Sequence, residues 1–232
     1  MMDLHIGMLL FPRLTQLDLT GPYEVFARLP GTQVSLLWKT LDAVTSDSGM
    51  SILPTRTFAE CGQLDVVCVP GGPGTLALME DEEALSFLRR QSEKARYVTS
   101  VCTGSLVLAA AGLLQGHRAA CHWMSRELLA DLGVSVVPDR YVVDGNRVTG
   151  GGVTAGIDFG LQLAAMLRGD EQAKRIQLHL EYNPAPPFNS GSPESAGPDL
   201  VHAVRLNSEK LQESRREVVS RLKRQMPRYQ AL

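Results

Sequence analysis

The stretch YVTSVCTGSLVLAAAGLL, Tyr97 to Leu114, passes from β-branched and aromatic residues into a run of alanine and leucine, with Cys102 and Thr103-Gly104 at the junction. Tyr97 to Val101 predicts a short buried strand. Thr103 to Leu114 is apolar around its whole circumference, as a helix enclosed by a core must be. A buried strand feeding directly into a buried helix is a building step of a parallel sheet, and a cysteine at that junction occupies a strand-to-helix nucleophile elbow. Outward from this point the same alternation recurs. Asp65 to Pro70 (DVVCVP) is a strand ending in Gly71-Gly72-Pro73-Gly74, followed by a helix over Leu85 to Arg96. Arg118 to Cys121 is a strand, His122 to Leu132 a helix, Val134 to Gly150 two strands turning at Asp144-Gly145-Asn146, and Thr154 to Arg168 a long amphipathic helix, with another over Asp170 to Tyr182. Toward the N-terminus, Leu4 to Phe11 and Thr32 to Thr40 are strands, and Ala43 to Pro54 is a small hairpin. Thr20-Gly21-Pro22 opens a helix reaching Leu29, with Thr20 as its cap. The expected class is α/β, a mostly parallel sheet with helices on both faces and its sites at the carboxyl ends of strands.

Residues 1–182 are expected to form this α/β domain. Residues 183–200 (from NPAPPFNSGSPESAGP) read as an irregular Pro/Gly/Ser-rich arm, and residues 201–232 as a helical extension. Val201 to Met226 predicts one helix with Val204, Leu211, Val218 and Leu222 on one side, a surface for a second subunit or for wrapping. Its basic residues Arg215, Arg216, Arg221, Lys223 and Arg224 read as a solvated face. The chain has 23 basic and 25 acidic residues and a net charge of -2, which gives no footprint for nucleic acid. Its longest apolar stretch, Leu106 to Leu114, is far short of a bilayer span, so no membrane partner is expected. Met1 to Phe11 has no basic n-region, which points to the cytoplasm. The four cysteines show neither CxxC pairing nor ligand spacing with histidine, so they are read as free thiols, with no metal site.

Cys102 is the candidate nucleophile: helix N-H groups and the helix dipole favour thiolate and would lower its pKa. Cys61, Cys68 and Cys121 read as structural. Asp18, in QLDLT ahead of the expected first helix, lies at the same end of the sheet and could carry a proton beside Cys102. Otherwise it is a helix-entry residue. The amides of Gly71 and Gly72 could polarise a reacting group, although glycines after a strand can mean only a tight turn. His122 could be an acid or base at the pocket or simply structural. The turn Gly150 to Thr154, with Gly151 and Val153, could leave room for a ligand.

LDLTGPYEVF (Leu17 to Phe26), VPGGPG (Val69 to Gly74), CTGSLVLAAAGLL (Cys102 to Leu114), His122-Trp123 and DGNRVTGGGVTAGIDF (Asp144 to Phe159) together resemble the DJ-1/PfpI superfamily over about residues 3–182. The resemblance implies a flavodoxin-like fold and is strongest to the branch that hydrates isocyanides. Asp18 stands where the superfamily usually has a glutamate, and Thr103 where its peptidase-like branch has a histidine. It implies a cofactor-free, cysteine-dependent hydro-lyase, commonly a homodimer, acting on a small isocyanide. Cys102 would be the nucleophile, Asp18 the proton carrier and Thr103 a helper, with Gly71, Gly72, His122, Gly151 and Val153 around the substrate. The same motifs occur in AraC-type regulators, but about fifty residues after Tyr182 leave too little for two helix-turn-helix units. Glyoxalase-like or amidase chemistry at Cys102, and a non-enzymatic stress-response or regulator-derived ligand-binding role, remain alternatives.

Overall fold

The computed structural model describes residues 3–225. Its first half runs β1 (Leu4–Leu9), α1 (Gln16–Phe26), β2 (Thr32–Trp38), β3 (Val44–Thr45), β4 (Ser51–Ile52), β5 (Arg56–Thr57), β6 (Val66–Val69), α2 (Thr75–Leu78) and α3 (Glu82–Ser92). Then come β7 (Tyr97–Val101), α4 (Gly104–Ala110), β8 (Arg118–Ala119), a 3-10 turn at Trp123–Ser125, α5 (Arg126–Asp131), β9 (Ser135–Val136), β10 (Tyr141–Asp144) and β11 (Arg147–Gly150). The remaining helices are α6 (Ala155–Arg168), α7 (Asp170–His179), α8 (Pro193–Ala196), α9 (Pro198–Asn207) and α10 (Glu209–Gln225).

Seven strands form one sheet in the order β10-β11-β7-β6-β1-β2-β5, parallel throughout except for the β10–β11 hairpin. β6 is buried at every residue and β7 at all but Tyr97, because helices cover both faces. α1, α6 and α7 pack together, with Phe26 edge-on to Phe159 at 6.0 Å; α4 contacts α2, α3 and α5. The chain leaves β1 toward β2 and β5, then returns to β6 on β1's other side. That reversal makes the β1–β6 boundary a topological switch point, the usual binding place of an open α/β sheet. Asp18 follows β1, Gly71 follows β6 and Cys102 follows β7, so three adjacent strands deliver the candidate site at one edge.

Three expectations are corrected. α1 starts at Gln16, so Asp18 lies in its first turn, and the Thr20 hydroxyl bonds Gln16 Oε1 instead of capping a helix. Gly21-Pro22 is a seat for α6: a Cβ on Gly156 would lie 2.8 Å from Pro22 Cδ, and one on Gly21 3.3 Å from Ile157. The smallness needed for close helix packing resembles a helix start in sequence. β8 pairs with β9 in a separate two-stranded sheet.

The third correction concerns the C-terminal region, which is two helices broken at Ser208, with Met226 to Leu232 outside the described residues. Val218, Val219 and Leu222 of α10 join the core of their own subunit, against α5 and α2, which is the wrapping alternative for that part of the stripe, while Val204 on α9 stays exposed. Arg215 is not solvated with its neighbours; it is 4% exposed.

Candidate active site

Cys102 has φ 59°, in the left-handed region that a side chain with a Cβ rarely adopts. This costs about 1–3 kcal/mol and persists only where surroundings enforce it. They do so from three sides. The Cys102 N-H donates to the Gly150 carbonyl at 3.0 Å, its carbonyl accepts from the His122 N-H at 3.4 Å, and Gly104 lies so near β6 that a Cβ there would be 2.1 Å from the Val69 carbonyl oxygen. The turn holds the thiol at the strand end, 5% exposed.

Asp18 is fully buried and interacts electrostatically with the Cys102 thiol. Its Oδ2 accepts from the Gly71 N-H at 3.0 Å, while Oδ1 has no hydrogen-bond partner among the described residues. Burial raises this carboxyl to about 7, overcoming the opposing influence of the Cys102 thiol and the Gly71 N-H, with the charge of Asp47 adding to the rise. A carboxyl so placed exchanges a proton at neutral pH. The Cys102 thiol is itself pushed well above its ordinary value, first by burial and then by the Asp18 charge. The lowered thiol pKa expected from the helix end is therefore not found. α4 is only seven residues long, and the Thr103 N-H, which does favour thiolate, does not outweigh desolvation of an enclosed sulfur.

Gly71 stands where these groups converge. A Cβ on it would lie 2.6 Å from Asp18 Oδ2, 2.6 Å from the Thr103 nitrogen and 2.8 Å from Cys102 Cβ, so no side chain fits without moving backbone. Gly72 has φ 131°, and its N-H donates to Thr103 Oγ1 at 3.0 Å. Both amides, expected as donors to a reacting group, are instead engaged in orienting Asp18 and Thr103, their nearest acceptors. His122 is half-buried, and burial together with Arg215 and Arg126 lowers its ring to about 4, so it is neutral at pH 7. Gly151 is buried and its N-H donates to the Arg140 carbonyl at 2.8 Å; Val153 is half-buried against the core. This second glycine turn meets the elbow through Gly150. Cys68 and Cys121 are enclosed, their thiols raised to about 12 by burial, and Cys61 is half-buried.

Arg215 was missed. Its Nη2 donates to the Gly72 carbonyl at 3.0 Å and its Nη1 to Ser125 Oγ at 3.4 Å. Ser125 in turn donates to Gln212 Oε1 at 3.3 Å. A signal existed: Arg215 stands three, four and seven residues before Val218, Val219 and Leu222, on the apolar stripe of its helix rather than opposite it.

Among the described residues there is no group of three or more His, Cys, Asp or Glu side chains able to hold a metal, and no helix is long and apolar enough to cross a membrane. What the site offers is a soft nucleophile beside a carboxyl of near-neutral pKa, enclosed from water: the parts needed to add a thiol and a proton to one small electrophile.

Residues 5–166 match the DJ-1/PfpI family, and the chain belongs to that family. Within it, the chain is 57% identical over 220 residues to isonitrile hydratase of Pseudomonas putida, covering 95% of this chain and 96% of that enzyme. That match reaches into α10, whereas the family match ends within α6. The transcriptional regulator GbdR of Pseudomonas aeruginosa is 30% identical over 90% of this chain, which spans only 58% of the regulator. Among solved structures, a THiJ/PfpI family protein from Pseudomonas syringae superposes with a TM-score of 0.92 at 44% identity, covering 94% of this chain and 91% of that one. Drosophila melanogaster DJ-1beta superposes with a TM-score of 0.73 at 26% identity over 78% of this chain and 98% of its own.

Proposed function

We propose that this protein is an isonitrile (isocyanide) hydratase, joining water to R-N≡C to give the N-substituted formamide. The observation that carries the reading is the 57% identity to isonitrile hydratase along nearly the full length of both chains. The local chemistry agrees with it.

In the reaction we assign, the Cys102 sulfur attacks the terminal isonitrile carbon. The thiol proton passes through Asp18 to that carbon, giving the thioimidate Cys-S-CH=N-R. Asp18, ionised again, takes a proton from water as it adds to the thioimidate carbon and delivers one to nitrogen. The C-S bond then breaks, the sulfur regains a proton, and R-NH-CHO leaves. Only water and isonitrile are consumed. A carboxyl near pH 7 can act as acid in one half and base in the other, which an ordinary surface aspartate cannot do well. Because the resting thiol is held protonated, attack and proton transfer to Asp18 are coupled. Thr103 assists by its N-H toward sulfur and by the hydroxyl that anchors Gly72. Gly71 and Gly72 shape the site, and His122, Gly151 and Val153 border the substrate. A homodimer in the cytoplasm completes the reading.

The test is product analysis after mixing the purified protein, with Cys102→Ala beside it, with an aryl isonitrile. Formamide from the wild type alone supports the proposal; an active Cys102→Ala protein ends the covalent mechanism.

A further inference from the structure

A guanidinium that is 4% exposed is unusual, since a buried cation needs a counter-charge. Arg215 makes no ion pair with any carboxylate among the described residues. It donates to the Gly72 carbonyl and the Ser125 hydroxyl, lies within electrostatic reach of the Cys102 and Cys121 thiols, and its Nε has no partner. The rest of α10's basic surface behaves ordinarily: Arg221 pairs with Glu80 and Lys223 with Asp131, both exposed. One member of the row has been turned inward and left without an acid.

The Gly72 carbonyl that it holds is a hub. It also accepts from Thr75 Oγ1 at 2.8 Å and Thr103 Oγ1 at 3.3 Å, and the same residue's N-H donates to Thr103. Gly71, one residue earlier, is wedged between Asp18, Thr103 and Cys102. Holding Gly72 limits the freedom of the adjoining Gly71, whose N-H orients Asp18. Seen from the reaction, Cys102 and Asp18 together must bear one negative charge whenever sulfur attacks or leaves. The charged and titratable groups around them are Asp47 facing Asp18, Cys121 and His122 beside the elbow, Arg126 on α5 and Arg215 on α10. Asp47 opposes that negative charge, Cys121 and His122 are neutral, and half-buried Arg126 donates away to the Pro138 carbonyl. Arg215 is the buried cation of the set.

We propose that Arg215, brought in by α10, is a positioning residue of the reaction: its guanidinium holds the Gly72 carbonyl and supplies the positive charge that balances the negative charge of the Cys102–Asp18 pair. This rests on the hydratase reading for the identity of the reaction, but not for the location of the charge. Arg215 touches no reacting atom; it acts through Gly72 and through its field.

Three variants separate the roles. Arg215→Met fills similar volume without charge, Arg215→Gln keeps a donor without charge, and Arg215→Lys keeps the charge without the planar fork. Two quantities are read, the aryl-isonitrile kcat and KM, and the pH midpoint of Cys102 alkylation by iodoacetamide, followed on the Cys102 peptide by mass spectrometry. Arg215→Met and Arg215→Gln should raise the alkylation midpoint by about one pH unit or more, the effect of removing a nearby opposite charge. They should lower kcat about 10- to 100-fold with KM changed less than about threefold, as for loss of a group that stabilises developing charge. Arg215→Lys should restore the midpoint and part of kcat. Arg216→Met, one residue away and exposed, should match the wild type in both. An unmoved midpoint or unchanged kcat in the neutral variants overturns the proposal, as does a lysine variant displaced as far as the methionine one. Should Arg215→Met fail to fold, the Gln and Lys pair gives the same answer. Alkylation uses no isonitrile, so a wild type that forms no formamide would sink the hydratase reading while the midpoints still decide the role of Arg215.

Discussion

α4 and α10 reach the same thiol in opposite ways. α4 begins two residues after Cys102, is buried along all but its last residue, and carries no charged residue. α10 lies more than a hundred residues further along the chain, keeps a wet face studded with charge, and sends one arginine inward. A helix enclosed on every side cannot host an ion without losing its hydration, so α4 can set the position of the sulfur but not its electrostatics. A helix at the edge can bury a guanidinium while its neighbours stay in water. The elbow sets the sulfur locally, and the proposed role of Arg215 brings a hold on Gly72 and a positive charge from far along the chain.

The largest effect should come from the local side. Cys102→Ala should lower kcat/KM by about 10⁴-fold or more, as loss of a nucleophile does elsewhere, measured by formamide formation. Next, Asp18→Asn should cost about 10²- to 10⁴-fold in kcat, the range of a lost acid/base group. The same change should stabilise the fold at alkaline pH. The Asp18 carboxyl rises from 3.8 to about 7 on folding, so the folded state binds the extra proton and this group's contribution falls as pH climbs between those values. Above pH 7 the ionised buried carboxylate opposes folding by an upper limit of about 4 kcal/mol. Thermal unfolding at pH 8 should therefore favour Asp18→Asn, with the advantage shrinking toward pH 4. A variant no more stable at pH 8 would contradict the raised pKa.

Gly71→Ala comes third, because its methyl must displace Asp18, Thr103 or Cys102. A loss of about 10- to 100-fold in kcat is expected, the scale of an ångström-sized misplacement, with about 1–3 kcal/mol of overpacking. A fully active Gly71→Ala enzyme would show that the convergence is not needed. Leu106→Ala in α4 and Leu222→Ala in α10 set the two helices against each other directly. The first, at a fully buried site, should cost about 2–5 kcal/mol on denaturant unfolding, and the second, at 9% exposure on the rim, about 1–2 kcal/mol. Per unit of stability lost, the α10 change should depress kcat more, because it loosens Arg215. Equal ratios would separate α10 from the reaction. The smallest effect belongs to His122→Asn: a ring already neutral at pH 7 leaves the activity profile near neutrality within about threefold of wild type.

The central sheet and the elbow were legible because their signals are local. β7 lies where YVTSV places it, and Cys102, Gly71 and Asp18 meet because β7, β6 and β1 are neighbours whose ends were already marked. Two things were hidden. Gly21-Pro22 answers to α6, more than a hundred residues away, so reading it as a local start misplaced the beginning of α1. Arg215 sits among basic residues that are solvated, and only its register with Val218 and Leu222 sets it apart. The thiol's raised pKa was hidden as well, since a helix dipole can be inferred from sequence whereas the degree of enclosure needs the packed structure.

The placement of Arg215 also imposes an order in time. Asp18, Gly71 and Cys102 leave the ribosome well before it, and about ninety residues separate His122 from Arg215. At roughly 5–20 residues per second, that is about 5–20 s of synthesis during which the α/β strands can pair around the cysteine without the late cation. Through this interval the sulfur is present without the guanidinium proposed to balance the charge of its reaction, which only the closing helix can bring.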